Sequence, residues 1–303
     1  MGTYKVNFYS NQDLLELIWK SGIFNDSKEF VDMSLREELT PTIREELFSN
    51  QDNPKQLLKT IHKYFKPPTT AGQLMPVHQR KSTRNVKFIT TIKDPQYKKW
   101  ASDLCGIWKE LVREIPIDVK KNEAKYSLIY LEKPFVVPGG RFREMYYWDT
   151  YWTIIGLLHS QMFDVAKGTI ENLLSLVKRY GFVPNGNRKY YVNRSQPPFL
   201  TLMVRKYFEV TNDREFVKTS LTFLLKEYEF WMKHRTIEIS TSLRTFTLNQ
   251  YRAFSTTPRP ESYKEDLSIM LKTVGCHSDI SKQLKLYSNI ASAAESGWDF
   301  SSR

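Results

Sequence analysis

The chain has 303 residues, of which 41% are hydrophobic, so it is long and apolar enough to bury a sizeable core. Its two cysteines are too few for a disulfide framework or a four-cysteine zinc site. The formal net charge of +12 suits an anionic partner, but Lys and Arg are interleaved with Asp and Glu and never form a run of five. We therefore expect a solvated basic surface and no nucleic-acid interface.

Apolar residues recur mainly at helical spacing, which predicts a nearly all-α fold. The predicted helices are 11–20, 28–48, 55–65, 95–114, 145–160, 163–180, 197–210, 213–235, 262–274 and 279–293. Short strands are predicted near 86–92, 127–137 and 243–248. The helices follow one another in pairs with short connections, so they form α-hairpins that either stack as an open solenoid or close into a toroid. The absence of an internal sequence repeat favours the toroid.

Three further properties follow from the sequence. No stretch approaches ~20 apolar residues, so no transmembrane helix is predicted. The first seven residues lack the apolar segment of a signal peptide, and the sequence leaves the compartment and the oligomeric state open. Cys105 and Cys276 are expected to be buried thiols, and residues 66–86 have the composition of a linker or surface wrap.

Four connections are longer than the others and are rich in Arg, Asn, acidic and aromatic residues. They are 132–145, 181–196, 248–261 and the segment after 295. Long ordered connections in a compact domain usually carry function. If the four fall on one face of the molecule, we expect that face to be its site.

The first of these segments contains residues 138–151, PGGRFREMYYWDTY. Gly139 and Gly140 permit a tight turn that presents Arg141 and Phe142 to a cavity. The residues that follow add aromatic and acidic candidates, namely Tyr146, Trp148 and Asp149. This density of charged and aromatic side chains predicts a wet, aromatic-walled pocket for a polyol, and the alternative is a loop held by structural salt bridges.

The second and third segments add donors and acceptors. Asn185, Arg194 and Gln196 offer the mixture that a neutral sugar requires, whereas the alternative is an Asn-Gly turn before a proline-capped helix. Arg259 and Glu261 stand in the sequence Pro-Arg-Pro-Glu-Ser, where two prolines stiffen the backbone. For Glu261 the alternative is a carboxylate that only stabilises a helix start.

The fourth segment is the end of the sequence, ESGWDFSSR. Gly297 ends the preceding helix, and Asp299 follows between Trp298 and Phe300. Partial desolvation by these rings would raise the pKa of the carboxyl group and suit it to general-acid catalysis.

Together the four segments resemble the inverting trehalases. The family signature P-G-G-R-F-x-E-x-Y-x-W-D-x-Y is matched at every fixed position by residues 138–151, and residues 24–33 resemble the start of the family domain. The resemblance predicts a catalytic domain over 21–303, with 1–20 as an N-terminal extension. It implies an (α/α)6 toroid and the hydrolysis of α,α-trehalose to two glucose molecules with inversion, without metal or organic cofactor.

The resemblance also implies roles for particular residues. Asp299 corresponds to the general acid of the family. The sugar would be bound by Arg141, Phe142, Tyr146, Trp148, Asp149, Asn185, Arg194, Gln196, Arg259, Glu261 and Gly297.

The sequence departs from the family at one point. The second signature, Q-W-D-x-P-x-G-W-x-P, and the downstream Glu that serves as general base are not among the 303 residues. The nearest internal substitutes are Asp149 and Glu144, neither of them well suited. We therefore expect an incomplete toroid that is weak or inactive alone. The alternatives are a trehalose-binding pseudoenzyme and a basic α-solenoid that binds acidic partners.

Overall fold

The computed structural model describes residues 7–69, 72–77, 86–275 and 279–299. Most of them are helical, which confirms the predicted all-α class. The helices within these ranges are α1 (Gln12–Ser21), α2 (Ser27–Val31), α3 (Pro41–Ser49), α4 (Pro54–Tyr64), α5 (Lys87–Thr91), α6 (Pro95–Leu111), α7 (Ile117–Lys121), α8 (Asp149–His159), α9 (Phe163–Tyr180), α10 (Leu200–Thr211), α11 (Arg214–His234), α12 (Tyr263–Thr273) and α13 (Ile280–Ser296).

The strands are short and antiparallel. They are β1 (Ser34–Leu35), β2 (Phe65–Lys66), β3 (Met75–Pro76), β4 (Val112–Glu114), β5 (Phe135–Val136), β6 (Thr236–Ser240) and β7 (Thr245–Asn249). β1 pairs with β2, β4 lies between β3 and β5, and β6 and β7 form a hairpin in which Ile237 is opposite Leu248.

Consecutive long helices form hairpins. α8 is joined to α9, and α10 to α11, and the four helices contact one another. The core between them is built from α9, where Ile170, Leu173 and Val177 are fully buried because apolar residues recur on one face. Such hairpins are the building unit of the (α/α)6 architecture.

The N-terminal helices pack around a second core. Phe8, Phe30 and Phe65 meet there edge to face, together with Leu47 and Ile61. Helix α1, most of which lies in the segment predicted as an N-terminal extension, buries its own apolar face in this core. Tyr190 and Tyr191 of the 181–196 connection also pack here, so this core supports one of the functional loops.

Capping residues in the sequence mark where several helices begin and end in the structure. Asp213 caps α11 by accepting a hydrogen bond from the amide of Phe216 at 3.0 Å. Gly181 ends α9 with φ +87°, as predicted. Cys105 is buried as expected, and Cys276 lies outside the described residues. No helix in the described ranges is long and apolar enough to cross a bilayer.

Three predictions about elements were wrong or incomplete. The predicted helix 28–48 is two helices, α2 and α3, separated by β1. The predicted strand at 86–92 is the single turn of α5. In 127–137 the only strand is β5, whereas the predicted strand near 243–248 is confirmed as β7.

Candidate active site

The four long connections meet at one cavity of about 320 Å³. Every site residue singled out in the sequence lines it, namely Arg141, Phe142, Tyr146, Trp148, Asp149, Asn185, Arg194, Gln196, Arg259, Glu261, Gly297 and Asp299. Five further residues, Lys28, Pro138, Tyr191, Ser262 and Ala294, line it and were not predicted. The four connections therefore fall on one face, which is the condition stated above for a site.

Arg141 and Phe142 stand on the outer wall of the cavity. The Arg141 guanidinium donates two hydrogen bonds of 2.5 Å to the carboxylate of Asp26, which also accepts from the amide of Lys28 at the start of α2. Burial alone would raise the pKa of Asp26, but Arg141 lowers it below its ordinary value. The pair occupies two of the five N–H donors of Arg141.

Trp148 forms an aromatic wall. Its amide donates to Oε1 of Gln196 at 3.1 Å, so Gln196 orients the Trp148 backbone. Its ring packs edge to face on Trp152, with centroids 5.4 Å apart. The indole lies against Gly297, where a Cβ atom would fall 2.6 Å from the ring.

Arg194 and Glu261 form a buried ion pair with an N–O distance of 2.5 Å. Burial alone would raise the pKa of Glu261, but Arg194 and Arg259 hold it below the ordinary value. Arg259 is in turn fixed by Asp266, to which it donates at 2.7 and 2.9 Å. Two buried atoms of the pair, Nε of Arg194 and Oε2 of Glu261, have no hydrogen-bond partner among the described residues.

Backbone hydrogen bonds lock the first two loops together. The amide of Tyr147 donates to the carbonyl of Asn185 at 3.0 Å, and the amide of Asn185 donates to the carbonyl of Arg194 at 2.9 Å. Gly186 has the Met145 carbonyl where a Cβ would stand, at 2.9 Å. Gly186 forms an isolated antiparallel bridge with Tyr146 and not the Asn-Gly turn that was the alternative for this segment, and glycine is needed there because it permits this close approach.

A buried carboxylate of α13 ties the second loop to the rest of the site. Glu295 accepts from the amide of Ser195 at 2.8 Å and from the amide of Arg252 at 2.7 Å. It also forms two hydrogen bonds of 2.8 Å with the guanidinium of Arg235. One fully buried side chain thereby holds two of the connections and the end of α11 in place.

Two carboxylates, Asp149 and Asp299, line the cavity near one another. Burial raises the pKa of Asp149, and the negative charge of Asp299 raises it further. Asp299 itself is exposed, as is Trp298, so the predicted desolvation of Asp299 is not observed. Its other predicted neighbour, Phe300, lies outside the described residues.

Glu144 is not available for chemistry on a ligand. It is fully buried and forms ion pairs with Lys28 at 2.6 Å and with Arg188 at 2.8 Å. Burial alone would raise its pKa, but the two cations lower it to about 2. Of the two internal substitutes for a general base, only Asp149 therefore faces the cavity.

Comparison with known proteins agrees with the resemblance found in the sequence. The family model named Trehalase matches residues 22–303. The chain belongs to the trehalase family. It is 42% identical to the trehalase of Apis mellifera and 38% identical to that of Homo sapiens, over 97% of this chain in both cases. The alignments cover 47% and 50% of those two relatives, so the chain spans about half the length of its trehalase relatives.

Proposed function

We propose that the chain binds α,α-trehalose in this cavity and carries the general acid of an inverting trehalase. The observation that carries the proposal is the buried ion pair of two lining residues, Arg194 and Glu261, in which Nε of Arg194 and Oε2 of Glu261 have no hydrogen-bond partner among the described residues. Buried polar groups without partners are rare and destabilising, so a ligand that supplies both a donor and an acceptor is expected there. A sugar hydroxyl supplies both.

The remaining lining suits a neutral sugar. Phe142 and Trp148 offer aromatic surface for the C–H groups of a pyranose ring. Arg194 and Arg259 are both neutralised by carboxylates, Glu261 and Asp266. The cavity is therefore polar without a strong excess of positive charge, which argues against a phosphorylated ligand.

In the proposed reaction Asp299 protonates the oxygen that links the two glucose units. Water attacks the opposite face of the ring, which requires a second carboxylate ~6.5–9.5 Å from the acid. Asp149 shares the neighbourhood of Asp299 and is assigned to sugar hydroxyls. We assign the base to the part of the trehalase fold that the relatives have and that this chain does not cover.

The test combines calorimetric titration with trehalose and an assay of glucose release by the purified chain. We expect trehalose to bind both the parent and Asp299→Asn, since the substitution changes the acid and leaves the other cavity residues in place. Asp103→Asn, on the exposed surface of α6, is the matched control. A folded chain that does not bind trehalose would refute the proposal.

The assay of glucose release shows whether the chain hydrolyses trehalose or only binds it, and whether hydrolysis needs Asp299. Release by the parent and by Asp103→Asn, with none by Asp299→Asn, would support Asp299 as the acid and require a base within these residues or from a second copy. Binding without release would agree with a site that lacks its base. Equal release by all three chains would refute the role of Asp299.

A further inference from the structure

A cluster of buried charges lies directly behind the cavity. Lys28 of α2, Asp32, Glu144 and Arg188 are each at most 1% exposed. Two positive and two negative groups balance, and each cation pairs with both carboxylates. Buried charges persist only when they are paired and hydrogen-bonded in this way.

Lys28 lines the cavity, but it has no donor left for a ligand. An ammonium group has three N–H donors. Those of Lys28 are taken by Glu144 at 2.6 Å, by the hydroxyl of Tyr190 at 2.9 Å and by Oδ1 of Asp32 at 3.4 Å. Lys28 is therefore a positioning residue that fixes the carboxylate of Glu144.

The direction of two tyrosine hydrogen bonds follows from this arrangement. Glu144, held between Lys28 and Arg188, is a carboxylate and accepts only, so the hydroxyl of Tyr146 must donate to it. Tyr146 has a single hydroxyl proton. In its contact with Tyr191, at 2.8 Å, the donor must be Tyr191. The protons thus point in one direction, from Tyr191 to Tyr146 to Glu144.

We propose that this directed chain makes Tyr146 and Tyr191 an acceptor-only wall that selects sugar hydroxyls able to donate a hydrogen bond. Both residues line the cavity, and both hydroxyl protons are already committed. Only lone pairs remain for a ligand. The proposal rests on the proposed function, because it assigns the orientation of the sugar in that same cavity.

The acceptor-only wall has a counterpart in the same cavity. Arg141 and Arg194 can only donate, and Nε of Arg194 has no partner among the described residues. A ring with a donating hydroxyl at the tyrosines and an accepting hydroxyl at the arginines satisfies both sets of residues. A ring turned the other way leaves buried groups unpaired, which is how a polar site rejects a wrong ligand or pose.

The first experiment determines, in the absence of sugar, which tyrosine hydroxyl donates the hydrogen bond between Tyr191 and Tyr146. Tyrosine labelled with ¹³C at Cζ allows the hydroxyl protons of Tyr146 and Tyr191 to be followed by NMR in the free chain. In Tyr191→Phe we expect the Tyr146 proton to remain slowly exchanging, because its acceptor Glu144 is unchanged. In Tyr146→Phe we expect exchange of the Tyr191 proton to accelerate. Loss of the protected Tyr146 proton in Tyr191→Phe would show the opposite direction and overturn the proposal.

The second experiment measures affinity for trehalose and for analogues in which single hydroxyls are replaced by fluorine, which cannot donate. We expect at least one analogue to bind the parent about tenfold more weakly than trehalose. That difference should largely vanish in Tyr191→Phe and persist in Tyr228→Phe, a control that removes an exposed hydroxyl on α11.

The outcomes separate the two proposals. The same analogue profile in the parent and in Tyr191→Phe would overturn the selective wall, even with trehalose bound. A chain that binds no trehalose, yet shows the expected protected proton of Tyr146, would refute the proposed function and support the directed hydrogen bonds.

Discussion

The indole of Trp148 occupies the space that a side chain at Gly297 would need. A Cβ atom there would lie 2.6 Å from the ring, and Gly297 has φ +74° at the end of α13. Glycine is therefore required twice, by the backbone conformation and by the close approach of Trp148. This contact also brings Asp299, two residues later, to the cavity where Trp148 stands.

Gly297→Ala should displace Trp148 and weaken both trehalose binding and thermal stability. The matched control is Gly22→Ala, at the end of α1, where φ is +64° but no atom lies within 4 Å of the new Cβ. The control isolates backbone strain, worth about 1–2 kcal/mol. Thermal unfolding and trehalose titration should show a larger loss of stability at position 297 and a loss of affinity only there. Equal effects at the two positions would contradict the contact.

Glu261→Gln should destabilise the fold by about 3–5 kcal/mol, because it leaves the charge of Arg194 buried and unpaired. Urea unfolding measures the loss. The control is Glu209→Gln, on the exposed surface of α10, where solvent screens the ion pairs and little change is expected.

The same variant has a pH signature. The pKa of Glu261 is lowered in the folded state, so its stabilising contribution is present above the unfolded pKa near 4.5 and is lost as the pH falls further. Acidification should therefore narrow the difference in the free energy of unfolding between the parent and Glu261→Gln. A difference that is constant with pH would count against the ionised pair.

A second buried carboxyl group, that of Glu227, should contribute to the free energy of unfolding with the opposite pH dependence. Glu227 is buried beside a separate cavity of about 390 Å³, and burial raises its pKa to about 7, although the Tyr147 hydroxyl donates to it at 2.6 Å. As the pH rises through 4.5 the unfolded chain ionises first, so the free energy of unfolding should fall until about pH 7. The expected decrease is on the order of 3 kcal/mol.

Glu227→Gln should lack this decrease, and urea unfolding at pH 5 and pH 8 measures it. Glu229→Gln, two residues away on the exposed side of α11, should retain the parent's pH dependence. If Glu227→Gln keeps that dependence too, the decrease must come from other groups.

Asp299→Asn should lower the pKa of Asp149, since it removes the neighbouring negative charge. Burial is the larger cause and persists, so the pKa should move only part of the way to its ordinary value. Carboxyl ¹³C NMR measures the change, with Asp103→Asn as a variant that should leave Asp149 unaffected. An unchanged Asp149 pKa would mean that the two carboxylates do not interact.

Local sequence signals were sufficient to predict the position of the long helices. The bounds of α9 match the predicted 163–180, and Asp213 marks the start of α11. The prediction of one helix over 28–48 failed because Asp32 leaves the helix to meet Arg188 and Tyr190, more than 150 residues away. The start of α3 was nevertheless readable, since Thr40 caps it and Pro41 occupies its first turn.

The same distinction applies to the site. Twelve of the seventeen lining residues were placed together, because they lie in recognisable segments to which the family resemblance assigns the site. The supporting residues were missed because their partners are distant: Lys28 contacts Glu144 across 116 positions and Tyr190 across 162. Tyr191 was within a recognised segment, but its importance depends on a hydroxyl contact with Tyr146 that spacing does not reveal.

Glu295 also determines when the cavity can form during synthesis. Its carboxylate holds Ser195, Arg235 and Arg252, which lie 100, 60 and 43 positions earlier in the chain. A growing chain makes these three residues well before it makes their common partner. The loop that carries Asn185 and Arg194 therefore lacks its hydrogen bond to Glu295 until residue 295 has left the ribosome, and the wall formed by Gly297 and Asp299 is added later still.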